Sequence, residues 1–254
     1  MTAPRNARSQ PGGGRKYVWQ GPNGIETFPS VTTILGRVLN KPAITPWALK
    51  MAGQYVADNL DVLRAVHRDS PDAVVQMVKG APWELRDKAA DKGTLVHALA
   101  EAYTLGHGAQ VPVELMGHLD MWHDWVATKH VRFLMAEATV YNRYLGYAGT
   151  LDAIAETDDG VALIDYKTGK DVYPDTALQL TALHCAEFVG LPDGTEAPMP
   201  RTDLACVVRL GADDWDMVPM TLDPRAWAAL LVLYRWTQRD DIVGPSLGGP
   251  GRML

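Results

Sequence analysis

Three side chains in the second half of the chain have the types and spacing of a hydrolytic centre. In Leu163-Ile164-Asp165-Tyr166-Lys167, the two-residue period of a strand puts Asp165 and Lys167 on one face and Ile164 and Tyr166 on the other. The preceding strand carries Gly149-Thr150-Leu151-Asp152, with Leu151 and Ala153 assigned to the face opposite Asp152. Asp158-Asp159-Gly160 is a strong hairpin turn, and the hairpin brings Asp152 beside Asp165 and Lys167. Two carboxylates from adjacent strands form a hard-oxygen site suited to Mg²⁺ or Mn²⁺, which keep positions open for water and a phosphate oxygen. An Asp-x-Lys alone is a common solvated ion pair, so the surrounding order of elements has to decide.

Those elements can be read along the chain. Tyr17–Trp19 and Glu26–Phe28 flank the turn-rich Gly21-Pro22-Asn23-Gly24 and suggest a small hairpin. Ser30 caps a helix through Leu39, Thr45-Pro46 starts a second at Trp47, and Ser70-Pro71 and Ala81-Pro82 repeat the proline start. The longest helix is expected from about Pro82 to Leu105, ending near Gly106. Met116, Leu119, Trp122 and Val126 have the spacing of a helix facing the core. His118, His123 and His130 lack the spacing of a zinc-binding helix and are assigned to surface or satisfied positions. Strands follow at Arg132–Arg143, Ala148–Thr157 and Val161–Lys167. Next come a helix from about Pro174 through Val189, strands near Leu204–Leu210 and Asp216–Thr221, and a helix capped by Asp223-Pro224.

Composition bounds the reading. At 254 residues, 47% hydrophobic and 21% charged, the chain can bury the core of one large domain. No stretch approaches the roughly 18 consecutive apolar residues of a membrane helix, so a soluble, cytoplasmic protein is expected. The two cysteines, Cys185 and Cys206, are too few for a disulfide framework or a four-cysteine site, and both are expected to be buried thiols. A net charge of −6 offers no general attraction for a polyanion, so any nucleic-acid face must be local. Residues 1–16, with Arg5, Arg8, Arg15 and Lys16, read as a flexible basic arm, 17–243 as one domain and 244–254 as a tail. Within the domain, 17–130 is mainly helical and 131–243 carries the catalytic sheet. The expected class is α/β (α+β), a mixed central sheet flanked by helices.

Gly149-Thr150-Leu151-Asp152, a hairpin, then Ile164-Asp165-Tyr166-Lys167-Thr168-Gly169 resembles the RecB-like and phage exonuclease branch of the PD-(D/E)xK nuclease superfamily. Upstream, Gly93-Thr94-Leu95-Val96-His97 resembles the Gly-x-x-x-His helix of that branch, and downstream the helix carrying Leu178-Gln179-Leu180 resembles its Gln-centred motif. Gly93, His97 and Glu101 share one helix face, and the glycine lets that helix approach the sheet. Leu183 occupies the place of the tyrosine in the usual Gln-x-x-x-Tyr. Glu137 stands where relatives often carry an acid, with its role open between a structural hydrogen bond and a supporting contact to the site. The resemblance covers about Thr94–Glu187.

The resemblance implies a restriction-endonuclease-like core and a DNA nuclease dependent on one or two Mg²⁺ or Mn²⁺ ions held by His97, Asp152, Asp165 and the Tyr166 carbonyl. Lys167 would orient or deprotonate the attacking water, or stabilise the transition state, and Gln179 would orient Lys167 or contact the DNA backbone. No iron–sulfur cluster is expected from two cysteines. The partner is DNA, gripped by its phosphates with little sequence specificity. An exonuclease in phage or prophage recombination is the leading expectation, with a recombination or single-strand-binding protein as a possible partner. The alternatives are a structure-selective endonuclease and a non-catalytic DNA-binding or assembly module on the same fold.

Overall fold

A computed structural model describes residues 6–9, 14–242 and 244. Residues 1–5 and 10–13 of the expected arm, and 245–254 of the expected tail, lie outside the described residues. Strands β1 (Ala7–Ser9), β2 (Arg15–Gly21) and β3 (Gly24–Pro29) form a small antiparallel sheet. The β2–β3 hairpin is the one the turn sequence suggests. The first strand was expected to be unstructured arm. It forms because Ala7 pairs with Tyr17 across the sheet, and the Arg15 N–H is held by Thr33 Oγ1 at 2.7 Å. Such distant partners leave no mark on local composition.

Helix α1 (Val31–Val38) starts where Ser30 Oγ accepts the Thr33 N–H at 3.0 Å, as its sequence implies. Helices α2 (Ile44–Asp58) and α3 (Leu60–Asp69) lead into α4 (Pro71–Thr104). Thr45 is not the cap of α2: the helix begins one residue earlier without a side-chain cap, and Pro46 falls within the first turn, whose N–H groups need no helical partner. Pro82 likewise starts nothing. It lies inside the 34-residue α4, which begins at the Ser70 cap, and packing against α2 and α3 carries the helix through the one missing hydrogen bond. The expected end near Gly106 holds, with that glycine at φ +72°. Helix α5 (Met116–Thr128) buries Trp122 and Trp125 but leaves Met116 52% exposed, so the apolar stripe lies one position round from the expected one. His118 falls on this stripe and is buried, its Nδ1 without a hydrogen-bond partner among the described residues, contrary to the expected surface or satisfied position.

The central sheet follows: β4 (Arg132–Asn142), β5 (Tyr147–Thr157), β6 (Gly160–Lys167), then α6 (Pro174–His184). That helix stops short of Val189 because Phe188–Gly190 is strand β7, which pairs beside β4 at Tyr141. Strands β8 (Glu196–Pro198), β9 (Leu204–Leu210) and β10 (Trp215–Pro219) and helix α7 (Pro224–Thr237), capped by Asp223, complete the fold. The seven strands run in the order β10-β9-β6-β5-β4-β7-β8, with β6 and β9 parallel and the other pairs antiparallel. One face is covered by α1, α6 and α7 through Ile34, Leu180 and Trp227; the other takes the C-terminal half of α4 and α5 through Val96, Leu99 and Trp125. The β2–β3 hairpin packs Tyr17, Trp19 and Phe28 on Tyr141 and Phe188. The protein is thus a mixed α/β fold with helices on both sides of a mixed sheet. Among the described residues, no helix is long and apolar enough to cross a membrane.

Candidate metal centre

The sheet forks at the residues singled out from the sequence. Antiparallel pairing of β5 with β6 runs from the turn as far as Ala153↔Ile164 and stops. Beyond that point β5 stays with β4 out to Tyr147, while β6 stays with β9 out to Lys167. Asp152 and Asp165 are the first residues past the last pair, one on each side of the opening. Parting strands leave backbone donors to be satisfied, and here Asp152 Oδ2 accepts the Tyr166 N–H at 2.8 Å.

The strand alternation breaks at the same place. Leu151 joins the core under α1 and α6, whereas Ala153 joins the core under α4 and α5. The expectation that both share one face is therefore overturned. The cause lies on β4: Ala138↔Leu151 and Ala136↔Ala153 are paired, but Glu137 and Asp152 between them are not, and Glu137 sits at φ +46°. A left-handed conformation at a residue other than glycine costs about 1 kcal/mol or more, and such strain is characteristic of functional sites. Here it accompanies the turning of two acids out of the sheet.

Helix α4 closes the site from the other side. Gly93 allows the approach, since an added Cβ would lie 3.3 Å from Thr168 Oγ1. One turn on, His97 Nδ1 stands 3.3 Å from Asp152 Oδ2, with its ring edge-on to Tyr166. His97, Glu137 and Asp152 each offer a ligand atom, all within 4.8 Å of one another. Glu101, a further turn along α4, lines the same cleft of about 380 Å³, together with Gln179 of α6 and Tyr17 and Thr150, whose hydroxyls are hydrogen-bonded at 2.9 Å.

Asp165 is 2% exposed and is engaged on both sides. Gln179 Nε2 donates to its Oδ1 at 2.8 Å, and the Lys167 ammonium lies against its Oδ2. The sequence-derived residues therefore fall into two adjoining groups. His97 and Asp152 stand together, joined by Glu137, while Asp165, Lys167 and Gln179 form a chain beside them. Tyr166 meets the site through its backbone N–H, with its ring in the core. Gln179 bonds to Asp165, the same carboxylate that meets Lys167. Glu137 is the residue whose place sequence reasoning left open. Counting the β4–β5 register would have found it, because it stands opposite Asp152.

The electrostatics are those of crowded acids set beside an imidazole and an ammonium. Burial resists charge on His97, but the Asp152 carboxylate outweighs it and pushes the imidazole up to about 9. Asp152 is itself buried, yet His97, Lys167 and the Tyr166 N–H hold it below the usual carboxylate range. Burial, then the charges of Asp152 and Glu101, pushes Glu137 up to about 7. Burial and the Asp152 charge push Asp165 up to about 6, against the pull of Lys167. A divalent ion among His97, Glu137 and Asp152 would offset the burial and the neighbouring charges that raise Glu137, and the two carboxylates are the oxygen donors that Mn²⁺ or Mg²⁺ takes, with the imidazole favouring Mn²⁺ of the two. The residues fit the group.

No protein-family model matches the chain, and no curated protein sequence matches it.

Proposed function

We propose that this chain is a divalent-metal-dependent deoxyribonuclease of the PD-(D/E)xK type on a restriction-endonuclease-like core, hydrolysing phosphodiester bonds from DNA ends. The observation that carries the reading is the fork: Asp152 and Asp165 on its two sides, Lys167 on Asp165, and His97 and Glu137 on Asp152. An ordinary surface ion pair would not bury Asp165 at 2% exposure, nor surround its neighbour with an imidazole and a strained glutamate. His97, Glu137 and Asp152 would hold the ion, with Asp165 beside it. When bound, Mg²⁺ or Mn²⁺ supplies Lewis acidity toward a phosphoryl oxygen and makes a water acidic enough to attack near neutral pH.

The protein's own groups do the rest. Ion-paired with Asp165, Lys167 presents an ammonium that hydrogen-bonds the attacking water and offsets charge gathering on the phosphate. Gln179 keeps Asp165 in register, and so keeps Lys167 in place. The Tyr166 N–H fixes one oxygen of Asp152 and leaves the other to the cleft. All these groups address phosphate and water, so base sequence is not read at the centre. Action in phage or prophage DNA recombination, beside a recombination or single-strand-binding protein, rests on the sequence resemblance alone.

The test is cleavage of end-labelled linear DNA and closed circular DNA by the wild type and Lys167→Ala, with Mg²⁺, Mn²⁺ or chelator. Metal-dependent loss of linear DNA that disappears in the variant supports the exonuclease. Cut circles turn the reading to an endonuclease, and no cleavage of any DNA turns it to a binding module.

A further inference from the structure

A second cleft of about 790 Å³ lies beside the metal centre and has the opposite chemistry. Its wall is apolar and aromatic: Leu39, Ile44, Trp47, Tyr173, Pro174 and Leu178. Tyr173, just ahead of α6, is 59% exposed, so its ring is accessible from the cleft. Lys41 and Arg86 stand at the rim, the first bridging to Asp175 at 2.8 Å and the second over the Trp83 ring. The volume is that of a pocket for a group the size of a nucleotide or larger.

The cleft shares both of its long walls with the metal centre. Along α4, Arg86 belongs to this cleft while Gly93 and His97 line the other; along α6, Leu178 belongs to this one and Gln179 to the other. From Arg86 to His97 the helix rises about 16 Å, at about 1.5 Å per residue. At about 3.4 Å per nucleotide in a stacked strand, that is within about five nucleotides of the ion. The 168–173 loop joins Lys167 directly to Tyr173, so the catalytic strand and the aromatic wall are consecutive in the chain.

We propose that this cleft is a stacking site for unpaired bases of the strand being cut, with Trp47 and Tyr173 as the platforms. The proposal rests on the nuclease reading and deepens it, since it makes a single-stranded end the substrate. A base in a duplex has both faces covered by its neighbours and cannot use an aromatic wall; an unpaired base can, whatever its identity. Trp47 from the helical section and Tyr173 from the catalytic half would close on the strand from two sides. Recognition then needs little net positive charge, in keeping with a chain of net charge −6.

The test measures binding in chelator, where nothing is cut. Affinities for a fluorescein-labelled 12-mer of deoxythymidine and for a blunt 12-base-pair duplex are compared by anisotropy for the wild type, Trp47→Ala/Tyr173→Ala and Trp47→Phe/Tyr173→Phe, each shown by thermal melting to be folded. The single strand should lose about tenfold or more in affinity to the alanine pair, since stacking is worth about 1–3 kcal/mol per base. The phenylalanine pair should recover most of it, and the duplex should be indifferent. A 12-mer with abasic sites in its first five positions should bind the wild type as weakly as the intact strand binds the alanine pair, with no further loss when the two are combined. Equal affinities across the variants, or losses from protein and abasic DNA that simply add, would overturn the stacking site. Failure of the nuclease reading is seen separately, as absence of metal-dependent cleavage by the wild type.

Discussion

Replacing Glu137 by glutamine should make the metal-free protein more stable, by an amount that grows as pH rises above about 5. In the folded chain the Glu137 carboxyl is pushed from 4.5 up to about 7 by burial and by the charges of Asp152 and Glu101. A raised carboxyl works against folding once it ionises. The folded state binds more protons than the unfolded one between these two values, so the penalty grows as pH rises from 4.5 and is complete above 7. The gap is worth about 3 kcal/mol at face value, and solvent reaching a half-buried group trims it to about 2 kcal/mol. Glu137→Gln removes the charge and keeps the shape. Urea unfolding in chelator should show the variant more stable by about 2 kcal/mol at pH 8, or roughly 4–8 °C in Tm, and nearly equal to the wild type at pH 5. With Mn²⁺ at about a hundredfold over its Kd, the wild type should regain about 2.7 kcal/mol, and the variant, short of a ligand, should not. The same stability difference at both pH values, or a variant less stable at pH 8, would refute the crowding of acids around Asp152.

Metal uptake should release protons, because His97 stands at about 9 and Glu137 at about 7 before binding and both must give up a proton to ligate. Mn²⁺ affinity should therefore rise with pH between 6 and 9, and calorimetry in two buffers of different ionisation enthalpy should show more than one proton released at pH 6. Gln179→Ala leaves a lone pair of the buried Asp165 without its donor; about 1–2 kcal/mol of stability should go, with a fall in kcat larger than any change in KM. Gly190→Ala places a Cβ 2.7 Å from the Trp19 ring and 2.8 Å from that of Tyr141, so about 1–3 kcal/mol of stability should be lost through the seat of the small sheet, measurable by denaturation.

The sequence was most legible where chemistry and local periodicity coincide. Asp165-Tyr166-Lys167 lies on a strand joined by a two-residue turn to the strand of Asp152, and both strands form at the expected places. Caps at Ser30, Ser70 and Asp223 set helix starts because each is a contact within three residues. What was hidden depends on distant partners. Glu137 could not be ranked from its neighbours, since its importance comes from facing Asp152 across an unpaired position of a strained strand. The fork depends on β5 staying with β4 and β6 with β9, and the Leu151–Ala153 face assignment failed because Glu137 and Asp152 drop out of the β4–β5 register. Pro82 reads as a helix start in the sequence, yet tertiary packing carries α4 across it, and Phe188 reads as helical because its partner Tyr141 stands far away in sequence.

The central question is whether the fork holds a divalent ion. Titration of Mn²⁺ by electron paramagnetic resonance into the wild type, Lys167→Ala and Asp152→Asn decides it. Saturable binding that Lys167→Ala retains and Asp152→Asn loses is the expected result; no saturable binding to the wild type, or undiminished binding to Asp152→Asn, would contradict the account.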